Sequence, residues 1–297
     1  MTKFPEKAAV FPYSPACLLK ASGPDAAAFL QGQFSNDLGG IRPGQAVYGL
    51  WLDRRGHVMA DSHVIAAADG AGFWIASVSS AARDVASRLE SHIIADDVVI
   101  EDLTAGWRGL SLIGAGWGAW LSAEPRPGLV FPGRRDSGES WEWIHGAGDS
   151  GSVDLATSGA RRLGAEDVER MRIASGIPLV PADIGPSDLP NEGGLEAAAI
   201  SYSKGCYLGQ EVMARLKSMG RVRRTLVRVR GGGGPPPVPA ALWRGGRREG
   251  ELRSAAPDAG GGGYSGLALV RAPSGAPGGP LSLSSDGPPS VEIAPGP

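Results

Sequence analysis

The residues with the clearest chemical meaning run from Lys204 to Glu211, in the order Lys-Gly-Cys-Tyr-Leu-Gly-Gln-Glu. Cys206 stands just before a predicted helix over Gly209–Met219, whose stripe is Val212, Leu216 and Met219 and whose exit is Gly220. The unpaired N–H groups of a helix start present partial positive charge to a thiolate. Lys204 and Arg215 add cationic neighbours, and such surroundings make a thiol more acidic and more reactive. Gly205 and Gly209 let backbone or ligand come close. The plain alternative is that Cys206 packs as a small buried hydrophobe. On the thiolate reading it is accessible and borders a ligand cleft.

A second candidate is Asp61, in a strand that follows the turn Arg54-Arg55-Gly56. It reads either as an acid facing a cleft or as a hydrogen-bonding hairpin residue. His57 and His63 lie six apart, too sparsely accompanied for a metal site, and read as structural or exposed. The basic run Arg221, Arg223, Arg224 reads as a solvated face, with a phosphate or carboxylate tail as the other option. Trp51 and Trp74 read as strand core. Gly231 to Gly234 lacks a following helix or Lys-Ser/Thr and reads as a linker, not a phosphate loop.

These residues need a folded frame, and composition supplies one. The 297 residues suggest about two domains. Hydrophobic residues make up 42% and charged ones 20%, so the chain folds, although Gly (46) and Pro (24) are abundant. A net charge of −2 gives no basic field for a nucleic-acid backbone or an anionic membrane, so neither is expected as a direct partner. Cys17 and Cys206 are far apart and form no metal-ligand cluster. Sparse cysteine and the lack of an apolar leader after Met1 point to a reducing compartment, hence a cytoplasmic location. The longest uncharged apolar stretch, Gly109 to Ala123, is too short to span a bilayer.

The elements expected to carry the candidates are mixed. A short helix follows Ser22, with Gly32 as exit. Strands are read at 46–53, 57–66, 73–78, 98–103 and 108–113, and a helix at 80–90 with Val85 and Leu89 on one face. Residues 122–150 read as irregular apart from a strand at 140–145. A helix follows over 165–175, stopped by Gly176-Ile177-Pro178. Strand-strand-helix-strand order without regular βα alternation argues α+β. After Arg224 the composition shifts, with strand-like runs at 225–230, 251–254, 266–270 and 281–284 between Gly/Pro loops. The expected division is therefore 1–224 and a small all-β module over 225–297.

The octapeptide at Lys204 resembles the KGCYxGQE signature of the YgfZ family of folate-binding proteins, relatives of the glycine cleavage T-protein (aminomethyltransferase). Four further segments fit in family order. Phe29–Leu38 (FLQGQFSNDL) resembles the family's FLQGQxTxD element, and Leu52–Asp61 (LDRRGHVMAD) its LDxxGRxxxD hairpin. Glu169–Pro178 resembles the RxxxGxP helix exit. Gly250–Ala255 with Leu267–Val270 resembles the C-terminal barrel. The likeness implies a T-protein-like ring of two interleaved α+β subdomains with a small C-terminal β-barrel. It also implies tetrahydrofolate as ligand, and a role in making or maintaining iron–sulfur enzymes, including tRNA-modifying ones. The implied partners are an iron–sulfur carrier or client enzymes, since a single Cys cannot hold a cluster.

On this resemblance Cys206 and Asp61 are the catalytic candidates. Lys204, Gly205, Tyr207, Gln210, Glu211 and Arg215 are expected to bind the folate, with Asp61 and Lys204 facing one cleft. The family glutamate that accepts the pterin's paired donors is matched to Ala174, so Glu192 or another acid has to substitute. Where the T-protein hairpin carries Asp-Asp, this chain carries Ala60-Asp61. Two other functions stay open at this stage: a folate-dependent aminomethyl or one-carbon transferase, and a protein-binding module that has lost folate.

Overall fold

The computed structural model describes residues 8–220, 222–272 and 279–294. It is built on three five-stranded sheets. The first takes its strands in the order Ala46–Leu52, Val58–Ala66, Phe73–Ser77, Cys17–Ser22 and Val99–Asp102, all antiparallel. The hairpin expected around Arg54 is present. Asp53 Oδ1 accepts from the backbone N–H of Arg55 and of His57, both at 2.8 Å, an aspartate turn that fixes the register of both strands.

The two-residue period of Val58–Ala66 sorts its side chains. Ala60 and Val64 face the helices Ala26–Gln33 and Ala82–Glu90, where Phe29, Leu30, Val85 and Leu89 close the core around Trp51. Asp61, His63 and Ile65 face the other way, towards the second sheet. That sheet runs Arg161–Arg162, Ala9–Tyr13, Trp107–Ile113, Ser140–Gly146 and Leu129–Pro132. Its strand Ala9–Tyr13 precedes the whole first sheet in sequence yet pairs with Trp107–Ile113. The chain thus starts one subdomain, leaves to build the other and returns, which interleaves them. Leu18, Ile65 and Ala76 meet Phe131 and Ile144 where the sheets face each other.

The third sheet takes the order Ala240–Arg244, Arg247–Pro257, Gly263–Arg271, Arg224–Gly232 and Val291–Ile293. Single bridges from Ser282 to Trp243 and from Leu281 to Val291 join its two edges, so the sheet curls on itself. The segment Leu281 to Ser284, expected as a strand, contributes only these bridges. Gly231 and Gly232, expected as linker, lie within a strand instead. A Cβ on Gly231 would sit 2.4 Å from the Tyr264 ring, so the missing side chain makes room for an aromatic of this sheet's core.

Helix Ala165–Ala174 joins the parts through one buried arginine. Arg172 Nη1 donates to Asp183 Oδ2 at 2.6 Å and to the Ile177 carbonyl at 2.7 Å, and Nη2 donates to Ser254 Oγ at 2.8 Å. Ser254 belongs to the third sheet, so the helix exit is bolted to it. The stretch read as irregular, 122–150, holds a further strand, Leu129–Pro132, and just before it lies the helix Trp117–Ser122. The short strand's signal is obscured in sequence by the prolines at 125, 127 and 132. Among the described residues no helix is long and apolar enough to cross a membrane.

Candidate functional site

A narrow cleft opens where the first sheet, the second sheet and the helix exit meet. Its cavity volume is about 40 Å³. Tyr48, Asp61, His63 and Ser77 line it from the first sheet, Arg134, Arg135 and Glu142 from the second, and Pro178 from the helix exit.

Asp61 is buried and hydrogen-bonded through both carboxylate oxygens. Its carboxylate accepts from Ser80 Oγ at 2.8 Å, Ser77 Oγ at 2.9 Å and the Tyr48 hydroxyl at 3.1 Å. Burial raises its pKa above the ordinary carboxylate value, against the lowering effect of those donors and of Arg134. His63 lies between the rings of Tyr48 and Phe131, at 5.1 and 4.8 Å. Burial, then Arg134 and Arg135, push it down to about 3, so it lines the cleft as a neutral imidazole. His63 thus packs between two rings and also lines the cleft. His57 stands apart in the turn, 3.2 Å from Asp53 Oδ2.

Glu142 is the second buried carboxylate of the cleft. Its Oε1 accepts from Arg135 Nε at 3.0 Å and its Oε2 from Ser111 Oγ at 2.8 Å. Sequence reasoning missed it. The available signal was its place in the alternating strand Ser140–Gly146, where a carboxylate at a buried position among Trp141, Trp143 and Ile144 is out of pattern.

The structure separates the octapeptide from this cleft. Lys204 does not line it. Its ammonium donates to the backbone carbonyls of Gln31, Phe34 and Asn36 at 2.6, 2.7 and 2.9 Å. Burial pushes Lys204 down to about 8, which leaves it charged at neutral pH and able to fill all three acceptors. The expected shared cleft of Asp61 and Lys204 is thus corrected: the lysine is a clamp on the segment Gln31–Asn36. Glu192 is likewise spent elsewhere. It accepts from Arg224 Nε at 2.9 Å and Nη2 at 2.7 Å. Arg224 also pairs with the buried Asp188 at 3.1 Å, so it is no solvated charge; Arg223 is exposed, and Arg221 lies outside the described residues. Ala174 is exposed, and its carbonyl accepts from Arg228 at 2.8 Å; a carboxylate there would not line the cleft.

The octapeptide instead builds a surface from three motifs. Leu208 N–H donates to the Gly32 carbonyl at 3.2 Å, and Gly209 packs against Leu52, Asp53 and Gly56 of the hairpin. Gly205 and Cys206 are exposed on it. Tyr207 is buried below, its ring 5.1 Å from Lys204 Nζ. Gln210 opens the helix Gln210–Met219, and Glu211 and Arg215 form an exposed pair at 3.0 Å. None of these residues lines the Asp61 cleft. Among the described residues no group of three or more His, Cys, Asp or Glu could hold a metal ion.

Comparison with known proteins agrees with this architecture. The family described as the GCVT N-terminal domain matches residues 2–122. A tRNA-modifying protein YgfZ from Edwardsiella ictaluri is 28% identical over 74% of this chain and 70% of its own length. The chain resembles the YgfZ family over most of its length. The mitochondrial iron–sulfur cluster assembly factor IBA57 homolog of Phaeosphaeria nodorum is 27% identical over 72% of this chain, which spans about half (53%) of that protein. The human IBA57 is 28% identical, with 72% and 64% covered. Among solved structures, the glycine cleavage system aminomethyltransferase T of Bartonella henselae superposes with a TM-score of 0.77 at 20% identity, over 97% of this chain and 85% of that one. The α+β fold, with its curled C-terminal sheet, is therefore that of the T-protein, and the likeness to YgfZ read from the motifs holds.

Proposed function

We propose that the protein is a tetrahydrofolate-binding accessory factor for assembly or maintenance of iron–sulfur enzymes, including tRNA-modifying ones. The coarser part of this reading rests on relatives that are named as tRNA-modifying proteins and iron–sulfur cluster assembly factors. One observation carries the finer part: a cleft between the two interleaved sheets with two buried carboxylates, Asp61 and Glu142, on opposite walls.

A reduced pterin presents adjacent N–H donors, and a carboxylate answers them with paired acceptors. Glu142 is the acid we assign to that task, in place of Glu192. Each of its oxygens accepts one hydrogen bond from a neighbouring side chain and retains a lone pair. Tyr48 and His63 supply ring surface beside it, and Asp61 holds Tyr48 in place. Tetrahydrofolate, when bound, supplies a nitrogen that can carry a one-carbon unit. The exposed Cys206 lies on a different surface, where we place the contact with a cluster carrier or client enzyme. A single thiolate there gives at most one ligand to a cluster that the partner holds. We place the protein in a reducing, cytoplasmic setting, in keeping with its two free cysteines.

The test is calorimetric titration with tetrahydrofolate, for the native protein, Glu142→Gln and Cys206→Ser. The reading expects binding that Glu142→Gln weakens and Cys206→Ser leaves alone. In cells lacking a YgfZ-type protein, Cys206→Ser then fails to restore iron–sulfur enzyme activity while the native chain succeeds. Binding without any rescue would leave the transferase reading, which the Asp61 carboxylate favours, to be checked by an aminomethyl-transfer assay. Absence of binding alongside rescue would mean a protein-binding module that has lost folate.

A further inference from the structure

We propose that Arg134 anchors the ligand of the Asp61 cleft, donating from Nη1 to a carboxylate or carbonyl oxygen of a planar molecule. The proposal deepens the small-molecule reading above and relies on the folate assignment only for that molecule's identity.

Three guanidinium groups line the cleft, and two are committed. Arg135 Nε is shared between Glu142 Oε1 and Ser111 Oγ, each at 3.0 Å. Arg172 is consumed by Asp183, Glu169, Ser254 and the Ile177 carbonyl. Arg134 differs. Its flat face lies 3.9 Å from the centre of the Tyr48 ring, while its Nη1 is buried without a hydrogen-bond partner among the described residues. A cation over a ring is attracted by the ring's face, but that contact accepts none of the in-plane N–H bonds. A buried charged donor left without an acceptor is costly, and such groups collect at places that a ligand completes.

The surroundings define the missing acceptor. Asp61 does not provide it here: its carboxylate accepts from Tyr48, Ser77 and Ser80, and Arg134 acts on it through charge without a hydrogen bond. His63 is neutral and so does not repel the Arg134 cation. Tyr48 and His63 line the cleft with ring centres 5.1 Å apart, and Phe131 backs His63 at 4.8 Å, so ring surface suited to an aromatic ligand lies beside Arg134. Tyr48 links the parts: its hydroxyl is pinned by Asp61 and its ring carries Arg134, so the guanidinium is held in place before a ligand arrives.

The experiment measures affinity by calorimetry for two probes, 5-formyltetrahydrofolate and benzoate, with native protein, Arg134→Met and Arg134→Gln. Thermal melts identify whichever variants are folded. Loss of a hydrogen bond to a charged group is expected to weaken both probes by about tenfold or more. A folded variant that binds both probes as tightly as the native protein overturns the role of Arg134 and leaves the folate reading standing. Benzoate binding that depends on Arg134, without any folate binding, upholds the anchor and removes the folate assignment. Failure of the native protein to bind either probe overturns both.

Discussion

The ammonium of Lys204 lies 2.7 Å from the carbonyl oxygen of Phe34, and so ties the most specific motif of the chain to the end of its first helix. Two further carbonyls, of Gln31 and Asn36, complete a three-acceptor cage. A helix end leaves carbonyls without partners, and here a side chain distant in sequence satisfies them. The Lys-Gly-Cys order then makes sense as a clamp, a spacer and a presented thiol.

Lys204→Met should therefore destabilise the protein by roughly 1–3 kcal/mol, because buried carbonyls lose their donor. The check is the urea midpoint, with ligand affinity measured beside it. A large drop in midpoint with unchanged folate affinity is expected. Reduced affinity at an unchanged midpoint would return Lys204 to the ligand site.

The two glycines that flank Cys206 should behave differently. Gly209 has φ +88°, and a Cβ there would stand 2.8 Å from the Asp53 carbonyl oxygen. Gly209→Ala is expected to cost about 1–3 kcal/mol through backbone strain and the clash with the hairpin. Gly205 has no atom within 4 Å of an added Cβ, so Gly205→Ala should leave the melting temperature nearly unchanged. If Gly205→Ala nonetheless impairs rescue in cells, the open space beside Cys206 is used by a partner.

Legibility in the sequence followed locality. Asp61 could be found because the hairpin turn at Asp53 and a two-residue period place it on a definite face. Val85 and Leu89 were readable from helical spacing, and both are buried. Arg134 and Glu142 were not readable. They come from the sheet that the chain begins with Ala9–Tyr13 and resumes only at Trp107, so nothing local pairs them with Asp61. Lys204 and Glu192 misled for a related reason. A charged residue near a motif looks available for a ligand until the structure shows that Phe34 or Arg224 has claimed it. The curled third sheet was signalled by composition, but the strand Ala240–Arg244 was hidden behind the run of prolines before it.

The two thiols should separate cleanly in a labelling experiment. Cys206 is exposed, whereas Cys17 is fully buried in the first sheet, where its Sγ lies 3.7 Å from the Ile75 carbonyl. Burial also pushes the Cys17 thiol up to about 12, so little thiolate exists there near neutral pH. With an aromatic disulfide reagent at pH 8, one thiol should react in the native state and the second only after denaturation. Cys206→Ser should abolish the fast phase and Cys17→Ser should keep it. The reverse pattern would contradict the arrangement of the first sheet.

Asp61→Asn should raise stability at neutral pH while impairing ligand binding. Burial holds the Asp61 pKa above its ordinary value of 3.8, so the folded state keeps this proton to a higher pH than the unfolded state does. Between those two values the native protein binds more protons, and its stability falls as pH rises. The stabilising share of Asp61 is present in full below the ordinary value and is lost as pH passes the raised one. Asparagine does not titrate, and the hydroxyls of Tyr48, Ser77 and Ser80 can turn to match its amide. The stability gap in favour of the variant should therefore widen as pH climbs from about 4 and then level off. It grows by about 1.4 kcal/mol for every pH unit that separates the folded and unfolded pKa of Asp61. Urea unfolding of both proteins from pH 3.5 to 7.5 measures that gap. A gap that narrows with rising pH would mean that the three hydroxyl donors outweigh burial, and that Asp61 rests as a stabilised carboxylate.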